Sequence, residues 1–393
     1  MENENPMAYC INQQFQITYK YPVTFTRNAF DKVNPTLVQL LRDLGLANSR
    51  IFPVIDENVA KHHPDSWHNL NKYCKHFDVG EVLPAYIFLG GEAAKQTDEH
   101  ISEVYKKVVE HAIDRHSVVL VIGGGAVLDA VGYAAATAHR GIHLIRMPST
   151  VLAQNDAGVG VKNGINFQGR KNFVGTFAPP VAVLNDYSLL NSLSSRDKRA
   201  GIAEAIKVAL IRDRKFFNEL FSQRHQLSCF EDKPMQTMIS RCAELHLQHI
   251  ATSGDPFEKG SSRPLDFGHW AAHKLEELSH YRLRHGEAVA IGIALDSLYS
   301  QRSGLLSESD LQKIMVLITD LGFDFADNAM SDLNVEQALE EFREHLGGNL
   351  CITLLSGIGK SIEVVKIDAE LMQTCLDELC SKSKLQQLTQ AVS

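Results

Sequence analysis

The sequence predicts an α/β protein in two parts: an N-terminal domain on a parallel sheet, residues 1–190, and a C-terminal, mainly α-helical domain, residues 191–393. Three observations predict it. Short apolar runs alternate with helical patterns through the first half, as βαβ units require. From about Arg199 the hydrophobic period becomes helical, and a polar, Ser-rich stretch at 187–197 divides the two regimes.

The expected strands follow in order. Residues 51–55 are apolar and end on Asp56, and 86–89 end on Gly90-Gly91. Val118-Val-Leu-Val-Ile122 is a continuous apolar run closed by Gly123-Gly124-Gly125, the pattern of a strand buried on both faces. Residues 143–146 and 181–184 complete the sheet. Helices are then expected over 199–212, 234–252, 267–280, 286–303, 308–321 and 335–346. A β pair at 351–355 and 362–365 precedes a last helix near 368–391.

Composition removes several classes of function. Apolar residues make up 44% and charged residues 22% of the 393, which is globular rather than disordered composition. A net charge of −8 and a pI near 6.1 argue against nucleic-acid or membrane-surface partners. Arg140, Lys162, Arg170 and Lys171 still leave room for a local anion pocket. The opening Met1-Glu-Asn-Glu-Asn-Pro has neither a basic nor an apolar leader region, and the seven cysteines are scattered without Cys-x-x-Cys spacing. A reduced, cytoplasmic setting is therefore expected.

A strand ending in three glycines, followed by a small-residue helix (130–138), suits close approach of a pyrophosphate to backbone N–H groups. It is not the Gly-x-Gly-x-x-Gly fingerprint, and a tight strand–helix turn alone would read the same way. Asp56, at the end of an earlier strand, suits ribose hydroxyls; with no Arg beside it, NAD is favoured over NADP. In the helical half, Gly-Ile-Ala-Glu204-Ala-Ile-Lys207, Phe-Gly-His269-Trp-Ala-Ala-His273 and Arg-His285-Gly-Glu offer two imidazoles and a carboxylate. That set suits an open divalent-metal site with a position left for substrate. Each residue alone reads equally as a core histidine or a salt-bridged acid; together, in an otherwise apolar setting, a metal is the better account.

These stretches resemble the 3-dehydroquinate synthase family of sugar phosphate cyclases over nearly the whole chain. The similar motifs are Gly-Gly-Glu92-Ala-Ala-Lys95, Gly123-Gly-Gly-Ala-Val-Leu-Asp129, Ala-Thr-Ala-His-Arg140-Gly, Pro-Ser149-Thr150 through Asp156 to Lys162, Lys171-Asn172, Glu204 to Lys207, Phe-Gly-His269 and His285-Gly-Glu. The resemblance implies a dehydroquinate synthase-like fold, with a Rossmann-like NAD domain and a helical metal- and substrate-binding domain that share a cleft, in a homodimer. It implies that Glu204, His269 and His285 hold Zn2+ (Co2+ being equally suited to such ligands). Asp56, Asn58, Glu92, Lys95, the loop of Gly123, Gly124, Gly125, Ala126, Val127, Leu128 and Asp129, then Ser149, Thr150, Lys162 and Lys171 would line the cofactor. Lys162, Asn172, His273 and Arg140 of the partner subunit would take the phosphate of a small sugar phosphate, and Asp156 and Lys207 its reacting hydroxyls. The implied chemistry is transient oxidation of a secondary alcohol, phosphate elimination, re-reduction and an internal aldol closure.

The chain departs from dehydroquinate synthases proper where a substrate carboxylate would sit. His246 stands for a lysine, Arg263 is one place out of register in a loop two residues longer, and Asp266 replaces an amide. Two cations suited to a carboxylate are lost or displaced, and an acid is added that would repel one. With Glu-His345-Leu-Gly-Gly, this is more similar to cyclases that act on sedoheptulose 7-phosphate and make epi-valiolone-type cyclitols. Asp266 and His345 are then expected to face substrate, and His246 either substrate or packing. The alternatives are a plain 3-dehydroquinate synthase acting on 3-deoxy-arabino-heptulosonate 7-phosphate, a metal-dependent alcohol or glycerol dehydrogenase, and a non-catalytic cyclase-derived subunit.

Overall fold

The computed structural model describes residues 9–96, 98–168, 170–260, 263–325 and 327–392, the side chains of Asp98, His345 and 382–392 excepted. The first half holds strands β1 (Val23–Thr26), β2 (Arg50–Asp56), β3 (Glu81–Val82), β4 (Tyr86–Phe88), β5 (Val118–Gly123) and β6 (His143–Pro148). A hairpin of β7 (Lys162–Phe167) and β8 (Arg170–Phe177) follows, and then β9 (Ala182–Asp186). Apart from the antiparallel hairpin these strands form one parallel sheet in the order β1-β9-β6-β5-β2-β3, with β4 also paired to β2.

Alternation along β5 explains its continuous apolar run. Val118, Leu120 and Ile122 join one core with helices α1 (Thr36–Asp43) and α3 (Ser66–Phe77), α2 (Glu57–His62) lying between them in the chain. Val119 and Val121 join the opposite core with α4 (Asp98–Glu110) and α5 (Gly125–Thr137). Both faces are covered, so the sheet has no solvent-facing side for polar residues to mark. The glycine turn thus falls at the carboxyl edge of the central strand, the edge where open α/β sheets bind ligands.

The second half runs α6 (Ser195–Ala200), α7 (Ile202–Arg212), α8 (Arg214–Ser222), α9 (Arg224–Ser228), α10 (Asp232–Thr252), α11 (His269–Leu278), α12 (His285–Arg302), α13 (Glu308–Asp320) and α14 (Val335–His345). It ends with the β10–β11 hairpin (Ile352–Gly357, Lys360–Val364) and α15 (Ala369–Val392). α12 is the centre of this core, buried from Ala288 to Ser300, and α7 is buried from Ile202 to Ile211. Among the described residues no helix is long and apolar enough to cross a membrane.

The expected helix 199–212 is two helices. They part at Gly201, where a Cβ would lie 2.5 Å from the backbone N of Leu152, so the chain turns to let the segment after β6 pass. The helix expected at 130–138 begins earlier, at Gly125, and ends at Thr137. The helix expected at 267–280 starts only at His269, because Gly268 has φ +79° and its carbonyl O lies where a Cβ on Gly292 would fall, 2.0 Å away. That close crossing of α12 sets where α11, and hence His269, begins.

Candidate active site and metal centre

Glu204 in the first turn of α7, His269 at the start of α11 and His285 at the start of α12 come together in the helical core. Glu204 Oε1 lies 3.8 Å from His269 Nε2 and 3.5 Å from His285 Nε2. The carboxylate is fully buried, and its Oε1 makes no hydrogen bond to a described residue. Lys207 Nζ meets Oε2 as an ion pair. A buried carboxylate oxygen without a donor, flanked by two imidazole nitrogens, fits a divalent cation.

The histidines are oriented from behind. His269 Nδ1 lies 3.1 Å from the carbonyl of Phe267, and His285 Nδ1 lies 3.1 Å from Glu276 Oε2. With Nδ1 donating, His269 Nε2 keeps its lone pair toward Glu204, and His285 Nε2 would do so once a cation displaces its proton, the usual support for a metal-bound imidazole. Burial, with the Lys207 charge added, pushes His269 down to about 3. Burial opposes a charge on His285 too, but Glu276 and Glu204 outweigh it and hold the ring up at about 9. His273, Glu276 and His285 form a second, overlapping cluster beside the first.

The remaining expected substrate residues ring this centre unevenly. Asp156 lies in a wide helical turn (Ala153–Ala157) and its Oδ1 is 2.5 Å from His246 Nδ1 on α10. Burial works against its ionised form, but Lys207 and His246 hold it well below the usual carboxylate range. Asp266 is half-buried, and its charge reaches Lys207. His273 is pushed down to about 3 by burial first, then by His269 and Lys171. Lys162 opens β7 and pairs with Glu258, and Arg263 Nη1 donates to the same residue, to its carbonyl at 2.6 Å and to Oε2 at 3.1 Å. Asn172 is exposed on β8, with φ 53°. Arg140 is exposed beyond the far end of α5, with φ 63°. The side chain of His345 lies outside the described residues.

On the sheet side, Asp56 ends β2 and its Oδ1 accepts from the Asn58 amide at 2.8 Å, while Oδ2 lies 3.5 Å from the Gly124 N–H. Gly90 is packed against this pair: a Cβ there would meet Asn58 Nδ2 at 2.2 Å. Ser149 and Thr150 follow β6, Ser149 donating its N–H to the Gly123 carbonyl at 2.9 Å. Lys95 is buried and donates to Asp129 at 2.7 Å. Glu92 is exposed, and its charge reaches Lys171 on β8. Val127 and Leu128 give their side chains to the core, and Ala126 packs against it, so the first turn of α5 can meet a ligand mainly through Gly124, Gly125 and its N–H groups.

Residues 85–200 match the 3-dehydroquinate synthase N-terminal family and 201–345 the 3-dehydroquinate synthase C-terminal family. The chain belongs to the 3-dehydroquinate synthase family. Its fold, with the N- and C-terminal domains of that family, and its enzymatic class, a sugar phosphate cyclase of the lyases, follow. A 3-dehydroquinate synthase of Alkaliphilus metalliredigens (strain QYMF) is 31% identical over 323 residues, 82% of this chain and 88% of that protein. A 2-epi-5-epi-valiolone synthase of Streptomyces glaucescens is 30% identical over 369 residues, 93% of this chain and 92% of that protein. In structure the chain is similar to 2-epi-5-epi-valiolone synthase of Streptomyces hygroscopicus subsp. jinggangensis 5008, a structure with NAD+ and Zn2+ bound. That TM-score is 0.83 at 27% identity, over 95% of this chain and 100% of that one.

Three residues that touch these groups escaped the sequence reading. Arg146, fully buried inside β6, donates to the carbonyls of Gly160 and Lys162 and to Asn163 Oδ1, and so shapes the loop between Asp156 and Lys162. An arginine within an apolar strand was the available signal. Glu276 had a weaker one, its place three residues after His273 on the same helix face. Glu258 had none, since its partners come only from the fold.

Proposed function

We propose that this cyclase acts on sedoheptulose 7-phosphate, releasing phosphate and closing an epi-valiolone-type cyclitol, with NAD and Zn2+ or Co2+ as cofactors. The observation that carries the substrate class is the state of Arg263. A substrate carboxylate would need that cation, and Glu258 holds it by two contacts, while half-buried Asp266 adds a negative charge near Lys207. A neutral CH₂OH tolerates that environment and a carboxylate does not.

Glu204, His269 and His285 would hold the metal, and Gly124, Gly125, Asp56, Asn58, Glu92, Lys95, Asp129, Ser149 and Thr150 would surround the dinucleotide. When bound, the two cofactors supply polarisation of the substrate's oxygens and a hydride store that is refilled each turnover. Asp156, kept ionised, would accept a hydroxyl proton; Lys207, kept cationic, would stabilise the developing oxyanion. Lys162, Asn172 and His273 would bind and orient the phosphate, and Lys162 and Lys171 would line the cofactor, the two cations displacing from their acidic partners as the ligands arrive. Arg140 lies beyond a 13-residue helix from Gly124, about 20 Å at 1.5 Å per residue. As the family resemblance implies, its phosphate contact would be made in a partner subunit of a cytoplasmic homodimer, each subunit dividing near residue 190.

Purified protein loaded with zinc and NAD is expected to release phosphate from sedoheptulose 7-phosphate and not from 3-deoxy-arabino-heptulosonate 7-phosphate. Release from the acid alone would replace this reading by 3-dehydroquinate synthase, the activity that relatives such as the Alkaliphilus protein favour.

A further inference from the structure

Glu276 stands outside the three-residue cluster yet touches both the β7–β8 hairpin and the start of α12. Its side chain is 4% exposed; Oε1 accepts from Lys171 Nζ at 3.0 Å and Oε2 from His285 Nδ1 at 3.1 Å. His269 and His285 are oriented alike, but by different acceptors. The Phe267 carbonyl is fixed by the backbone that carries it. A carboxylate on a side chain is fixed only by what grips its other oxygen, and here that is a lysine from β8, 105 residues away in the sequence.

We infer that Glu276 is a positioning residue: it sets the tautomer and ring plane of His285 for the cation and, through Lys171, ties the β7–β8 hairpin to the metal centre. The inference rests on Glu204, His269 and His285 being the ligand set. Each Glu276 oxygen already accepts from a donor, Lys171 or His285, so the carboxylate is turned to them rather than toward Glu204. The link also gives the cofactor half and the metal half a shared, buried polar contact, whose loss would leave His285 free to rotate and the hairpin less held.

The test is zinc affinity, measured by competition with a chromophoric chelator on metal-free protein without substrate. Glu276→Ala should weaken zinc binding by about 10–100-fold, the usual effect of losing an outer-shell partner. Glu276→Gln should recover part of that loss, because its amide oxygen still accepts from Nδ1–H. Lys171→Met, which leaves the carboxylate in place but removes its second grip, should weaken zinc binding by a smaller factor, about three- to tenfold, while raising hydrogen exchange across 162–177, as both Glu276 variants should. Unchanged affinity in Glu276→Ala would overturn the inference. So would loss of zinc from Glu276→Gln as complete as from Glu204→Gln, which would make Glu276 a ligand of the second cluster. If Glu276→Ala does not fold, the Gln variant alone decides between these. Retention of zinc by Glu204→Gln and His269→Ala would instead defeat the ligand set itself.

Discussion

Lys207 rests on Oε2 of Glu204 one helical turn earlier in α7, with both side chains closed off from solvent, so that only Oε1 faces His269 and His285. The pair divides the carboxylate between a permanent cation and an exchangeable one. Lys207→Met should lower phosphate release by about 10²–10³-fold, the range for losing a group that stabilises a developing oxyanion, while zinc content stays near one per chain. Leaving a buried charge unpaired costs about 3–5 kcal/mol, so the metal-free variant should lose far more thermal stability than the zinc-loaded one. Equal loss of zinc and activity would reduce Lys207 to a prop for Glu204.

The Glu258 clamp on Arg263 predicts a change of inhibitor preference. Glu258→Gln should leave Arg263 its bond to the residue-258 carbonyl but no charged partner there, and strengthen competitive inhibition by 3-deoxy-arabino-heptulosonate 7-phosphate by about fivefold, roughly the 1 kcal/mol of a partly exposed ion pair. Inhibition constants for the acid sugar in parent and variant decide it. No change would mean that Asp266, rather than the clamp, excludes the carboxylate.

The parts of the fold legible in the sequence were those with one dominant cause. β5 could be read because a strand buried on both faces has no polar alternation, and α12 because only a central helix is apolar all round. β8 has a loose alternation of exposed and half-buried residues, and the β7–β8 hairpin was accordingly missed. At the metal centre, Glu204, His269 and His285 could be grouped because each stands out in its own segment. The acids that govern the neighbouring cations could not. Glu258 meets Lys162, and Glu276 meets Lys171, only after the two halves of the chain pack.

Gly124 separates the demands of the fold from those of a ligand. A Cβ there would meet only Thr150 Cγ2, at 3.4 Å, an ordinary contact, and φ is −74°, so an L side chain is tolerated. Gly123 differs: its Cβ would press on Val127 at 2.8 Å. Gly124→Ala should therefore keep the parental Tm within about 2 °C, a surface-like effect of half a kcal/mol or less. It should nevertheless weaken NAD binding, measured by titration calorimetry, by tenfold or more, as a methyl group blocks approach of the pyrophosphate to the N-terminus of α5. Unimpaired NAD binding would move the dinucleotide away from this turn.

Asp296, buried in α12, accepts from the Gly268 N–H at 3.0 Å and from Trp270 Nε1 at 2.9 Å, and so braces the turn that starts α11. Burial pushes its carboxyl up to about 7 despite those two bonds. An unfolded aspartate titrates near 3.9, so between these values the folded protein holds a proton that the unfolded chain has lost. The stability from that proton is complete below about pH 4 and disappears as pH rises through 7. At roughly 1.4 kcal/mol per pH unit, the parent should lose up to about 3 kcal/mol between pH 5 and pH 8 from this group alone. Asp296→Asn cannot titrate, so the parent-minus-variant difference in unfolding free energy should fall by that amount across the same range. Other acids change both proteins alike and cancel. A difference that stays level with pH would mean that Asp296 is ionised throughout and that its two donors outweigh its burial.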